Sequence, residues 1–404
     1  MNKQNIIIKN FVKTDKLIEV TKKKLGKKFD SEISNIEKQV ENSNSLFNIL
    51  SKNYKFNFKI SDIDKFKKFK SIAVVGMGGS ILGSKAIYGF LKENIKKKIF
   101  FFDNLDIEKI RNFKKKKKIK KTLFIIISKS GNTTETLSNI FLFKILKKQS
   151  KKIIIISEKK NNLLYNVSKK LNLFYVEHKS FVGGRFSVLT EVGLIPALLM
   201  GININKLRFN LKKNLRKKNR LILKNSSITL ANILNKRKKN NLIFINYAPQ
   251  MENFLFWCQQ LIAESLGKKG KGFLPVISNT PKDHHSLLQL YLEGPKDKVF
   301  QIFSIDEELK IKIDTKKFEK KHYLQNKTLE KVKNAQKNAL KKTFLTNSIP
   351  FREIHIKRLN EETLGELFSY FILETILVGK LINVNPFNQP AVEEVKINTK
   401  KILS

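Results

Sequence analysis

A chain of 404 residues with 41% hydrophobic content carries enough apolar side chain for buried cores in two or three domains, which excludes a disordered or fibrous protein. Its 81 basic residues against 34 acidic ones give a formal net charge of +47, a balance that ordinarily points to nucleic acid or an anionic membrane surface. Only eight of the 81 are Arg, and the Lys excess comes with abundant Asn, Ile and Phe, so it reads as a bias acting along the whole chain; without zinc-finger spacing or an aromatic-interleaved basic motif, no nucleic-acid partner is expected.

In chain order, the opening MNKQNIIIKNFVKTDK has an apolar run of only three residues, and no stretch reaches the roughly 18 apolar residues of a membrane span. A cytoplasmic protein with no membrane partner is expected. Residues 1–55 read as a polar, mostly helical lead-in. From 56 to 205, runs rich in Ile, Val and Phe recur at Ser71–Val75, Thr122–Ile127, Lys152–Ile156 and Leu173–Val176, most of them separated by helix-length stretches. Continuous apolar strands alternating with helices imply a parallel sheet covered on both faces, hence a three-layer domain. The Lys run from Phe113 to Lys121 reads as a solvated loop before the second of these strands. A Lys/Asn-rich helical stretch then opens a second such domain, 206–362, with strands over Asn241–Pro249, Lys298–Ile305 and Pro350–Ile356. A strongly apolar helix, Thr363–Ile382, begins a helical C-terminal segment, 363–404. The fold class is α/β, two three-layer domains with central parallel sheets and helical extensions at both ends.

Six segments carry chemistry. In VVGMGGSILGSKAI (74–87), four of the 17 glycines fall between 76 and 83. A Gly-rich turn between strand and helix points free amides at an anion, although the spacing is neither a dinucleotide fingerprint nor a Walker A loop, and a tight turn remains the plain alternative. FIIISKSGNTTET (124–136) has five hydroxyls in nine residues, Ser128, Ser130, Thr133, Thr134 and Thr136, more than a helix cap requires and suited to a phosphate dianion. In KSFVGGRFSVLTEVG (179–193), the rare Arg185 follows two glycines; the planar guanidinium fork has a geometric use that Lys lacks, or else it caps a turn beside a carboxylate. FWCQQLIAESLGKKGKG (256–272) places Glu264 as the only carboxylate between Glu252 and Asp283. Beside apolar groups its pKa would rise toward that of a general base, unless the helix is an ordinary amphipathic one. The lone Cys258 allows no internal disulfide, makes a structural zinc site improbable, and reads as core.

TPKDHHSLLQLYLEG (280–294) brings His284 and His285 together, suited to proton transfer but not to sharing one metal as i, i+4 partners do; surface histidines after a capping Asp283 are the alternative. In NVNPFNQPAVEEVKINTKK (383–401), Glu393 and Lys396 are spaced to pair on one helix face.

Taken in order, GMGGS, SKSGNTTET, GGRFS, QQLIAESLGKKG, DHHSLLQ and NPFNQPAVEEVK resemble the glucose-6-phosphate isomerase family from about residue 70 to 400. The resemblance implies two sugar-isomerase domains, a homodimer, no cofactor and no metal, and interconversion of glucose 6-phosphate and fructose 6-phosphate in glycolysis and gluconeogenesis. Carried over by position, Gly79, Ser80, Ser128, Lys129, Ser130 and Thr133 would bind the phosphate. Glu264 would shuttle the proton between C2 and C1, and Arg185 would stabilise the enediolate. His285 and Lys396 would handle ring opening, the histidine reaching in from the neighbouring subunit, and Gln389 would contact the sugar. Ala391 stands where the family pattern usually has Gly, and Gly131 where many longer members have an aromatic. A bifunctional phosphoglucose/phosphomannose isomerase and a non-catalytic sugar-phosphate-binding protein remain alternatives.

Overall fold

The computed structural model describes residues 5–11, 18–115, 118–307 and 311–404. Among these, ten strands form two sheets: β1 (Ile6–Phe11), β2 (Ser71–Val75), β3 (Lys98–Phe102), β4 (Thr122–Ile127), β5 (Ile153–Ser157), β6 (Phe174–Glu177), β7 (Asn241–Asn246), β8 (Leu274–Asn279), β9 (Lys298–Ile305) and β10 (Phe351–Ile356). The first sheet has the order β3-β2-β4-β5-β6 and is parallel throughout. The second has the order β1-β10-β9-β7-β8; its last four are parallel and β1 runs antiparallel to β10.

The parallel part of each sheet begins on an inner strand, steps to one side, then crosses over and grows the other way. The reversal falls between β2 and β4 in the first and between β7 and β9 in the second. At such switch points the loops leaving the strands diverge and open a crevice at the carboxyl edge, where ligands bind in open α/β sheets. All residues of β4 and β5 are buried, as expected for strands covered on both faces. Helices from both halves share one large core that includes Phe90, Phe186, Phe254, Trp257 and Phe368. Cys258 is fully buried within it.

The apolar helix Glu361–Leu381 starts at an Asn360 cap whose side chain accepts from the Thr363 amide at 2.9 Å. It is buried over most of its length and carries two buried carboxylates. Glu374 is held by Arg352, with one contact at 3.0 Å, and by the Tyr370 hydroxyl at 2.9 Å; Glu366 is held by Lys213 at 2.8 Å. Deleting one partner of such a pair strands a charge and costs about 3–5 kcal/mol. No helix of the described residues is long and apolar enough to cross a membrane.

Three features add to or correct the expectations. The N-terminal lead-in, expected to be mostly helical, also supplies the edge strand Ile6–Phe11 to the second sheet ahead of the helix Ile18–Gln39. Strands β3 and β8 went unforeseen: both lie at sheet edges, so each needs only one strand neighbour, and β8 carries Pro275. The Lys run is not a loop. Phe113–Lys115 ends a helix with Phe113 buried, and Lys118–Lys121 is a 3₁₀ turn; Lys116 and Lys117 lie outside the described residues.

Candidate active site

The loops after β2 and β4 lie side by side. A side chain on Gly76 would press on the Ile127 carbonyl oxygen, 2.9 Å from an added Cβ. The chain then makes a single turn over Gly78–Ser80, with Gly78 at φ +51°, a left-handed conformation that favours glycine. Gly79 is pressed against the Gly-Gly-Arg segment: a Cβ there would stand 2.2 Å from the Gly184 carbonyl carbon and 2.6 Å from the Arg185 nitrogen. Here the glycines permit backbone-to-backbone packing that brings two candidate segments together.

In the hydroxyl loop, the Ser128 and Thr133 oxygens are 2.8 Å apart, and Ser130 and Thr133 3.4 Å. Thr133 precedes the helix Thr134–Phe143 without capping it through its side chain, which leaves the first amides of that helix free of a side-chain acceptor. Lys129 turns away to the Ser180 carbonyl at 2.8 Å and to Glu158 at 3.5 Å, and burial lowers its pKa against the pull of Glu158. Its ammonium is thus taken up by partners outside the hydroxyl cluster. Gly131 has a structural cause: it sits at φ +66°, and Asn162 Oδ1 lies 1.8 Å from where a Cβ would be. Asn162 caps the next helix and fills the space that a side chain would need.

Arg185 is 2% exposed and all five of its donors are engaged. Nε donates to Ser265 Oγ at 2.8 Å, Nη1 to Gln389 Oε1 at 2.9 Å and to Glu264 Oε1 at 3.0 Å, and Nη2 to the carbonyls of Pro386 at 2.6 Å and Asn388 at 3.3 Å. Burial lowers its pKa, with Glu264 opposing. Glu264 lies near the end of the helix Glu252–Leu266, at the edge of a cleft of about 1080 Å³ lined also by Gln260, Lys268, Asn385, Asn388 and Gln389. Its neighbours are not the apolar groups expected from the sequence. One oxygen meets the guanidinium and the other accepts from Gln260 Nε2 at 2.9 Å.

Two further residues of this cleft were not singled out. Gln260 stands one turn before Glu264, and its Oε1 is buried without a partner among the described residues. The i, i+4 spacing was a usable signal for it. Lys268 donates to the Glu264, Ser265 and Asn385 carbonyls at 3.0, 2.8 and 2.9 Å, and burial, with Arg185 adding to it, pushes its pKa down to about 8.

His285 and Lys396 stand apart from this cluster. His285 lies in the turn after β8, exposed, with no described residue bonded to its ring. Lys396 pairs with Glu393 at 2.6 Å, on an exposed helix, Ala391–Leu403, that buries none of its residues. Among the described residues, no group of three or more His, Cys, Asp or Glu is placed to hold a metal ion.

Residues 57–274 match the family model described as phosphoglucose isomerase. A probable glucose-6-phosphate isomerase of Methanococcus maripaludis is 32% identical over 384 residues, 90% of this chain and 86% of that protein. The glucose-6-phosphate isomerase of Methanocaldococcus jannaschii is 33% identical over 350 residues, 83% and 85% of the two chains. Among solved structures, a hypothetical protein of Thermus thermophilus superposes with a TM-score of 0.84 at 23% identity, covering 98% of this chain and 100% of that one. A glucose-6-phosphate isomerase of Chlamydia trachomatis gives 0.78 at 15%, covering 99% and 88%; at these identities the two structures bear on the fold. With its family match and curated relatives aligned over most of its length, the chain belongs to the phosphoglucose isomerase family.

Proposed function

We propose that the chain interconverts glucose 6-phosphate and fructose 6-phosphate. The observation that carries this reading is the Glu264–Arg185 pair at 3.0 Å on the edge of the cleft, with the guanidinium pinned by Ser265, Gln389 and two backbone carbonyls. In the open-chain aldose, the Glu264 carboxylate takes the proton from C2, and the C2–H electron pair forms the C1–C2 double bond as the C1 carbonyl becomes an oxyanion. The hydroxyl proton on O2 passes to O1, and Glu264 returns its proton to C1 as the C2 carbonyl forms. The enediolate charge exists only along the reaction. A fixed guanidinium facing it therefore lowers the barrier more than it tightens substrate binding, and its pinned position avoids reorganisation at that moment.

The Gly78–Ser80 turn and the Ser128, Ser130 and Thr133 hydroxyls are suited to the phosphate, being a cluster of donors beside a helix N-terminus. Gln389, bonded to Arg185, is placed to meet the sugar. Ring opening falls to His285 and Lys396. Since His285 is exposed and unbonded in its own chain, we assign it to the site of a second copy in a homodimer. The helix Ala391–Leu403 supports an assembly of copies, with Val395, Ile402 and Leu403 each more than two-thirds exposed at 68, 84 and 71%. The deciding experiment is a coupled assay of fructose 6-phosphate conversion by the purified protein, with and without a chelator. Turnover in both is expected; none near neutral pH would remove the isomerase reading, and loss with chelator alone would redirect it to a metal-dependent enzyme.

A further inference from the structure

The turn that carries His285 is tied down on both sides of that residue. Strands β7 and β8 end together, with Asn246 opposite Asn279 in the parallel register. Asn246 Nδ2 donates to Asn279 Oδ1 at 3.0 Å, and Asn246 Oδ1 accepts from the Ala248 amide at 3.0 Å. Asn279 Nδ2 donates to Glu252 Oε1 at 2.6 Å, and its backbone amide donates to Asp283 Oδ2 at 2.7 Å. Next to His285, the His284 Nε2 lies 2.9 Å from the Tyr247 hydroxyl, with the two rings edge-on at 79°. The Thr280 amide donates to the Asn246 carbonyl at 2.9 Å, and the Ser286 and Leu287 amides donate to that of Asp283 at 3.3 and 2.9 Å.

Asn246 and Tyr247 are almost fully buried, at 1% and 3% exposure, whereas His285 is exposed. An exposed turn in an ordinary solvated role has no need of a buried Asn246 paired with Asn279, two carboxylates on Asn279 and a tyrosine on His284. Here they hold the chain before a side chain that is itself left free. Burying polar groups in a satisfied network rigidifies what the network touches, and a proton donor must be held to a fraction of an ångström to be useful.

We propose that Tyr247, Asn279 and Glu252 are positioning residues for His285, holding its turn in the pose that a second copy of the chain receives. This rests on the reading of His285 as the ring-opening group. Glu252 and Glu264 share one helix, 12 residues and about 18 Å apart. One rigid rod thus joins the base of a chain's own site to the histidine that the chain lends to its neighbour.

The test separates ring opening from proton transfer. Hexose 6-phosphates must be opened, whereas D-erythrose 4-phosphate cannot close a ring, because its O4 carries the phosphate; exchange of its C2 proton with deuterated solvent reports Glu264 alone. His285→Ala is expected to lower hexose turnover about a hundredfold while tetrose exchange persists. Tyr247→Phe and Glu252→Ala are each expected to lower hexose turnover about tenfold with tetrose exchange within about twofold of the parent. Glu252→Gln, which keeps an acceptor for Asn279, should restore most of what Glu252→Ala loses. Equal loss of both reactions in Tyr247→Phe and Glu252→Ala would make these residues supports of the fold and overturn the proposal. So would unchanged hexose turnover in those two while His285→Ala loses it. Unchanged hexose turnover in His285→Ala itself would instead remove the ring-opening reading, and the positioning role with it.

Discussion

The candidate site has two unlike halves. Arg185 sits at 2% exposure with every donor engaged, bonded to Glu264 and Gln389, while His285 and Lys396 are exposed, the first unbonded and the second held only by Glu393 one turn away. The halves differ because they answer different needs. A charge that must face a developing anion gains from burial and fixed geometry, and burial is tolerable for a guanidinium only when its donors are satisfied. A group that completes another subunit's site must stay accessible in its own. On the proposed reading, the buried Arg185–Glu264 cluster is the part of the site built within one chain, and His285 is the residue offered to a second copy.

The sharpest way to break this division is Glu264→Gln. Turnover should fall by about a thousandfold or more with sugar-phosphate binding retained, measured by coupled assay and by titration with a non-isomerisable hexitol 6-phosphate. Unchanged turnover would take Glu264 out of the base role. Next comes complementation: Glu264→Gln and His285→Ala chains, each impaired alone, are co-expressed. If His285 serves a neighbour, a mixed dimer holds one intact site; with half of the dimers mixed, activity should recover to about a quarter of the parent's. No recovery in demonstrated mixed dimers would place both halves in one chain.

Arg185→Lys should lower kcat by about a hundredfold with a smaller change in KM, because an ammonium has three donors for five acceptors and no planar fork; a raised KM with kcat unchanged would reduce Arg185 to a substrate anchor. Gly131→Ala probes the phosphate loop. Left-handed backbone and the contact with Asn162 should destabilise the fold by about 2 kcal/mol, read as a lowered denaturation midpoint.

The smallest effect concerns Lys268, whose folded pKa of about 8 lies below the ordinary Lys value. Between about pH 8 and 10.4 the unfolded chain holds a proton that the folded chain has lost, so this group makes the fold more stable as pH rises through that window. Lys268→Met should show a smaller rise in Tm, or a larger fall, than the parent between those limits; parallel curves would discount the shift.

Much of this was legible in the chain. The strands Ser71–Val75, Thr122–Ile127 and Lys298–Ile305 stand where apolar runs of strand length bounded by polar turns placed them. It was also readable that the Gly-rich and hydroxyl-rich turns each follow a buried strand and lead into a helix. What was misread lies at sheet edges and in charge. Strands β1, β3 and β8 are edge strands that satisfy fewer constraints. The run of lysines after Phe113 was no guide to a loop, since the buried Phe113 ring anchors the helix that Lys114 and Lys115 complete. Gln260 was missed although its i, i+4 spacing from Glu264 was a signal, and Lys268 was missed as one lysine among many, distinguished only by its partners.

By itself, the sequence determined the order of the Gly-rich and hydroxyl-rich loops, the helix that carries Glu264 and the His284–His285 turn, together with the alternation of buried strands and helices, because periodicity and residue type are local properties. Only the tertiary structure decided what those residues face. Arg185 finds Ser265 at a separation of 80 residues, and Pro386 and Gln389 at separations of 201 and 204. A hydrogen bond depends on distance and angle within about 3 Å, and no local pattern records which segments the packing of two sheets will bring that close.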